Sequence, residues 1–422
     1  MKILTCINIA VVCLMLTSNA AVWASAPTTI ATTTATDTTV SWLGPIAVTT
    51  TVPGPSFRPA YVVAAAANTN QDLEVIAWQD TTLAQAPAIG VEQGPAVTGV
   101  GITGLDSGRV VTASIDGSDT LSIITWSVSS AGVVKQKVYS TSENNPYHNV
   151  SITTLSSTEV VTVFRQSTGS FAVEAFTIDA EGLPTPVLPV VNPPAWVAGT
   201  DALQVSIATV GGNLVTTATN DSDLDLVVMN WRVDSAGVHP ESEFFQGGSV
   251  SNNLGGNVAI AAGTKIRLSD KPPFLQYVQS AVTPTIDASA NVHDFYWSIS
   301  DTGGLARTGE PAATTSDNEF YVAACMLPEN TAITVYANDS GTVSAGQYGI
   351  AALGTYPAMT DKPNPPIKGL AATAAGSDFS LFHAYNAYFV TADLTYTTPS
   401  SGEPIGTLGI QEWKYPVGPL VP

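Results

Sequence analysis

The sequence predicts an all-β chain made of one small sheet repeated along its length. Three observations predict it. An apolar, β-branched run ending in a polar turn recurs, and each copy places an aromatic residue six positions before a turn glycine: Trp126 and Gly132, Phe176 and Gly182, Trp231 and Gly237, Trp297 and Gly303. Apolar residues make up 45% of the 422 residues and charged residues only 11%, so the chain is poor in the Lys, Glu and Arg that surface helices favour. Thr, Ser, Val and Ala fill the gap, as strands prefer. Finally, each unit has room for about four strands, and a sheet that thin cannot cover both its faces alone. Stacking seven such units in a ring gives a seven-bladed β-propeller, each blade holding about four antiparallel strands.

In order, the paired strands are Tyr61 to Ala67 with Leu73 to Trp78, then Arg109 to Ile115 with Leu121 to Val128. Glu159 to Arg165 precedes Phe171 to Ile178, and Leu214 to Thr219 precedes Leu224 to Val233. Phe274 to Val278 precedes Asp294 to Ile299, Phe320 to Cys325 precedes Ile333 to Tyr336, and Tyr388 to Leu394 precedes Leu408 to Trp413. The aromatic anchors are spaced by 48, 50, 55 and 66 residues, then 39 and 77. Insertions at Ala281 to Val292 and Thr397 to Gly406 account for the longest intervals, and an open solenoid would want a steadier repeat. After Trp413 come Pro416, Pro419 and Pro422, which interrupt a ladder. The ring is therefore expected to close on an N-terminal strand, Val40 to Leu43, leaving no exposed sheet edge there.

The first residues read as an export signal. Lys2 is the positive end, Ile7 to Leu16 the short apolar core, and Val22-Trp23-Ala24 a small-residue site. This divides the chain into residues 1–24 as signal peptide, 25–39 as a Thr/Ala-rich linker, and 40–422 as a single propeller domain. The product is expected to be secreted or periplasmic and monomeric. No later run reaches the ~20 uninterrupted apolar residues of a membrane span. Cys6 and Cys13 leave with the leader, so Cys325 stays unpaired and reads as a small core residue. The formal charge is −20, and losing Lys2 makes it −21. That field argues against nucleic acid and anionic membranes and favours cations or basic partners.

The strand Val110-Val111-Thr112-Ala113 with Trp126-Ser127-Val128-Ser129-Ser130-Ala131-Gly132 resembles the blade repeat of a group of exported bacterial seven-bladed β-propellers. Val160-Val161-Thr162-Val163 with Phe176, and Leu214-Val215-Thr216-Thr217 with Trp231, repeat the match. The resemblance covers the mature chain and implies its architecture, with no particular activity. The Gly-His and Trp-Asp marks of WD40 blades are missing.

Chemistry is expected where propellers usually hold ligands, at one mouth of the central channel. The hairpins there place Asp72, Asp116, Asp119, Asp221, Asp223 and Asp287 near one face, although turns favour Asp and Asn for their own reasons. Asn220 to Asp225 is the densest acidic stretch, and its oxygens suit calcium. It lacks the central Gly and downstream Glu of an EF-hand, so no cofactor is evident beyond that. His148 sits in a linker next to an inner strand, and no two of the four histidines have zinc-ligand spacing. No G-x-S-x-G elbow occurs. The ligand-binding candidates are Asp116, Asp119, His148, Asp221 and Asp223, with Tyr147, Trp196 and Tyr385 as aromatic surfaces for a sugar. The expected role is a non-catalytic binding or scaffold module for a glycan or an exported protein. The alternative is an extracellular hydrolase or lyase working through mouth carboxylates with calcium.

Overall fold

The β-branched runs form strands, and the turns that close them end on glycines with positive φ. Gly132, Gly182, Gly237 and Gly303 have φ of 130°, 85°, 126° and 85°, a region that glycine enters at little cost. The structure, a computed structural model, describes residues 28–36, 41, 45–51, 59–80, 82–191, 202–220, 225–246, 258–268, 275–287, 291–309, 319–327, 331–338, 343–349, 367–378, 386–397 and 405–416. Among these there is no helix, and every strand pairing is antiparallel.

The strands sort into repeated small sheets. After β1 (Thr28–Thr34), the first sheet holds β2 (Ile46–Thr50), β3 (Tyr61–Ala67), β4 (Leu73–Gln79) and β5 (Gly90–Glu92). The second holds β6 (Val97–Gly104), β7 (Arg109–Asp116), β8 (Leu121–Ser129) and β9 (Gly132–Thr141). The third holds β10 (Pro146–Ser156), β11 (Glu159–Gln166), β12 (Phe171–Ile178) and β13 (Pro184–Val191). The fourth holds β14 (Gln204–Gly211), β15 (Leu214–Asn220), β16 (Leu226–Asp234) and β17 (Gly237–Gln246). The fifth holds β18 (Ala261–Leu268), β19 (Leu275–Ile286), β20 (Val292–Ile299) and β21 (Leu305–Gly309). The sixth shows three described strands, β22 (Glu319–Leu327), β23 (Thr331–Asn338) and β24 (Val343–Gly349). The last runs β25 (Ile367–Asp378), β26 (Asn386–Thr397), β27 (Ile405–Pro416), with β1 added outside β27.

That last pairing joins the two ends of the chain. Thr33 faces Ile410 and Thr34 faces Gly409. The closing strand thus lies inside the stretch read as a linker, and twelve residues before the place expected. Its threonines suit a strand, and Ala31 and Ala35 pack on the core that Trp78 shares with Val390 and Ile410. Of Val40 to Leu43 only Ser41 is described, and it donates its N–H to Ala67. A second correction concerns Ala281 to Val292. Ala281 to Ile286 continue β19, and only the short Asp287-to-Asn291 hairpin separates β19 from β20.

Neighbouring sheets share cores. Trp126 and Ile124 of the second sheet pack with Val63 and Val75 of the first. Phe176 packs with Val111 and Ile123, and Trp231 with Val161 and Val173. Trp297 packs with Leu214 and Val228, Tyr336 with Ile286 and Val292, and Trp413 with Cys325 and Ile333. The Trp78 core then ties the first sheet to the last. Each aromatic anchor lies across the ladder from a residue of the preceding strand: Val62 from Trp78, Val110 from Trp126, Val160 from Phe176, Val215 from Trp231. The buried indole N–H needs an acceptor, and a threonine supplies it. Nε1 of Trp126, Trp231 and Trp297 donates to Thr112, Thr217 and Thr283, each 14 residues upstream and each at 2.9 Å. Trp413 does the same with Thr391. Trp78 has Ala64 at that place, and its Nε1 has no acceptor among the described residues. Phe176 needs none, and there Thr162 turns to the Glu174 carbonyl.

The first strands of adjacent sheets are joined by hydroxyls. Thr103 and Thr154 meet at 2.9 Å, and Thr153 and Thr209 at 3.0 Å. Thr209 donates to the Thr154 carbonyl at 2.7 Å, and the Gly104 N–H donates to Thr49 at 3.0 Å. These bonds occupy backbone groups on inner edges that would otherwise lack partners.

Candidate functional site

The hairpins and the linkers between sheets interlock at one end of the fold. Val97 N–H donates to the Gln71 carbonyl, Gly117 N–H to Ala96, Ser167 N–H to Asn145, and Ala202 N–H to Gly169. Most of these junctions are ordinary turns. The one between the second and third sheets is different.

There β10 bulges. Pro146 faces Gln166 and Val150 faces Phe164, so Tyr147, His148 and Asn149 all stand opposite Arg165 alone. A bulge re-aims side chains and bends its strand. Asn144, Asn145 and His148 have φ of 64°, 48° and 56°, a region that residues with a Cβ seldom occupy. The surroundings hold this backbone in place. Gln166 Nε2 donates to the Asn144 carbonyl at 3.0 Å, and Asn149 Nδ2 donates to the Leu203 carbonyl at 2.7 Å. The His148 carbonyl presses on Gly99, where a Cβ would lie 1.6 Å from its oxygen. Only glycine fits there.

The bulge gathers three side chains, and a fourth acts on them through its charge. The Tyr147 and His148 rings meet edge to face, with centroids 3.8 Å apart. The Arg165 guanidinium carbon lies 5.2 Å from the Tyr147 ring centre, a cation–π contact. Asp119, half-buried and at φ 57°, comes from the β7–β8 hairpin and acts on His148 electrostatically. His148 is exposed as a residue, yet desolvation of its ring lowers its pKa below the usual imidazole value. Arg165 lowers it further and Asp119 pulls the other way. The imidazole is therefore neutral near pH 7, with one nitrogen to donate and one to accept. Together these groups present an aromatic ring, a guanidinium fork, a carboxylate and a neutral imidazole.

Of the residues chosen from sequence, His148 sits in this bulge and Asp119 acts on it electrostatically from the neighbouring hairpin. Asp116 does not join them. Its Oδ1 accepts the N–H groups of Ser118 at 2.8 Å and Thr120 at 3.1 Å, so it caps its own hairpin. Asp221 and Asp223 lie outside the described residues, as do Trp196 and Tyr385. Asp287 is held by Asn291 and by His293 at 3.0 Å. Among the described residues no group of three or more His, Cys, Asp or Glu is placed to hold a metal ion. No described helix is long and apolar enough to cross a membrane. Cys325 is buried and burial pushes its thiol up to about 12, which leaves no thiolate for chemistry.

Sequence reading missed Arg165 as a site residue. A signal was present. Counting five residues on from the residue that faces each aromatic anchor gives Ala67, Ile115, Asn220, Ile286, Leu327 and Leu394 in the other sheets, all buried. The third sheet has arginine at that place, half-buried. An ionisable residue breaking an otherwise buried repeat position marks a local job.

No family model matches the sequence, and a search of curated proteins finds no match. Among solved structures the chain is similar to the SapL1 lectin in complex with α-methyl fucoside, at 11% identity over 77% of this chain and 99% of that one, with a TM-score of 0.46. It is similar to the fungal Aleuria aurantia lectin, a six-bladed β-propeller, at 9% identity over 78% and 99% of the two chains, with a TM-score of 0.49. AofleA from Arthrobotrys oligospora gives 10% identity over 76% and 86%, with a TM-score of 0.47. Scores this low carry neither blade number nor ligand over to this chain.

Proposed function

We propose that this protein is a secreted seven-bladed β-propeller, of the exported bacterial kind its repeats resemble, that binds a glycan without acting on it. The binding place is the channel mouth between the second and third blades. Support for the ring comes from the cyclic sharing of cores and from β1 completing the last sheet. Support for export comes from the leader-like residues 1–24.

One observation carries the functional reading: the bulge at Tyr147 to Asn149, which sets an aromatic ring, a neutral imidazole and a guanidinium beside the Asp119 carboxylate. Sugars offer apolar C–H faces and rows of hydroxyls that both donate and accept. An aromatic edge with mixed donors and acceptors, on a backbone fixed in advance, is suited to them. The hydrolase or lyase reading needs a second carboxylate for acid–base or nucleophilic work. Asp119 is the one brought to His148 among the described residues, and Asp116 is occupied in its turn. Calcium gains no support from the donors described.

A glycan array tests the reading. The wild-type protein should bind a defined subset of glycans with no released product, Tyr147→Ala should lose them, and Asp116→Ala should keep them. Binding that survives Tyr147→Ala, or turnover of a bound glycan, contradicts it.

A further inference from the structure

Arg165 has no acid. Arg109 holds Asp106 at 2.6 Å and Arg232 holds Glu241 at 2.6 Å. The Arg165 side chain makes no hydrogen bond or ion pair with any described residue. Its Nε is buried without an acceptor, and its one contact of note is the Tyr147 ring. The chain has 34 acidic residues against 14 basic ones, so carboxylates were plentiful if a structural partner had been wanted. The other sheets put a buried residue without charge at this place in the repeat: Ile115, Leu327 and Leu394 show how well a branched apolar side chain fills it. Arginine here therefore replaces an apolar packing residue with a charge that, among the described residues, meets an aromatic ring and no carboxylate.

From this we infer that the sugar bound at this mouth carries a carboxylate, and that the terminal nitrogens of Arg165 receive it as a two-point fork. The inference rests on the glycan-binding reading above and narrows it to acidic sugars. A planar guanidinium matches a carboxylate with two parallel N–H bonds. Tyr147 keeps the guanidinium plane from swinging, which preserves the fork for the ligand. The hydroxyls of the same sugar face Asp119 and His148, since a carboxylate beside Asp119 would be repelled. The overall charge of −20 opposes a polyanion, so the ligand is a glycan with one acidic residue at its recognised end and not an acidic polymer.

The test uses the full-length mature protein and calorimetric titration with four probes: 4-nitrophenyl β-glucuronide, its 6-methyl ester, 4-nitrophenyl β-glucoside and the glucoside 6-sulfate. The glucuronide should bind about ten- to a hundredfold more tightly than the ester or the glucoside, the range of a charge-assisted pair. Arg165→Gln should lose that preference, and Arg165→Lys should keep only part of it, because lysine has no fork. Arg165→Leu installs the residue two other sheets carry at this position. It should melt no lower than the wild type and still lose the acid. Equal binding of the acid and its ester, or a preference retained in Arg165→Leu, overturns the inference while leaving glycan binding intact. Preference for the sulfate overturns the assignment to carboxylate. Failure to bind these probes and every glycan of the array overturns the binding reading itself, and the inference with it.

Discussion

Thr112→Val should destabilise the protein although it changes almost no volume. The Thr112 hydroxyl accepts from Trp126 Nε1 at 2.9 Å, and both residues are fully buried. Valine keeps the shape and removes the acceptor. The indole N–H then stays dry and unpaired, which costs about 1–3 kcal/mol. In a chain of this size that lowers the melting temperature by about 1–4 °C. Trp126→Phe in the Thr112→Val background removes the orphaned donor, so the pair of changes should cost less than the two single changes summed. The third sheet already shows the arrangement, with Phe176 beside a Thr162 that bonds elsewhere. Thermal and urea unfolding of the four proteins completes the cycle. A Thr112→Val protein as stable as the wild type, or strict additivity in the cycle, would refute the idea that these threonines are retained as indole acceptors.

Ala64→Ser should act in the opposite sense by giving Trp78 Nε1 an acceptor, raising stability by about 1 kcal/mol, read from the same unfolding curves. Glu174 and Asp393 set a pH dependence. Burial raises Glu174 from 4.5 to about 7, with Glu143 adding to it, and raises Asp393 from 3.8 to about 6. Both are protonated more readily when folded, so their contribution is whole below the unfolded pKa values and is lost as pH rises toward 6 and 7. Each shift corresponds to about 3 kcal/mol. Glu174→Gln should flatten the fall in stability between pH 4.5 and 7, and an unchanged slope would refute the assignment. Gly99→Ala should force the His148 carbonyl to move and weaken glycan binding, whereas Gly94→Ala, with nothing within 4 Å of the added methyl, should change neither binding nor stability. Cys325 should react with a thiol reagent only once the protein is unfolded, and rapid labelling of the native protein would contradict its burial.

The framework was readable because it depends on residue spacing. The aromatic anchors and turn glycines recur at fixed phase, and the strands that carry them follow from alternation. The threonine acceptors recur too, 14 residues before three of the tryptophans, but in sequence they look only like good strand formers. The closing strand falls outside the predicted stretch because Thr28–Thr34 holds a single large apolar residue, Ile30, and none of the alternation that marks a strand. Its neighbour β27 supplies Ile410 and Trp413, so a strand made mostly of Thr suffices. The site was half readable. Asp119 and His148 stand out by type, and Arg165 by breaking the repeat. The bulge that brings them together arises from two extra residues and three positive φ angles, which spacing alone does not reveal. Asp116 shows the converse: a turn carboxylate looks the same in sequence whether it caps a hairpin or meets a ligand.

The most direct measurement is a crystal structure of the mature protein soaked with a glycan drawn from the array. The sugar should lie against Tyr147, with its polar groups reaching Arg165, His148 and Asp119, between the second and third of seven sheets around a common axis. Sugar density at another junction, or a different number of sheets about that axis, would contradict the account.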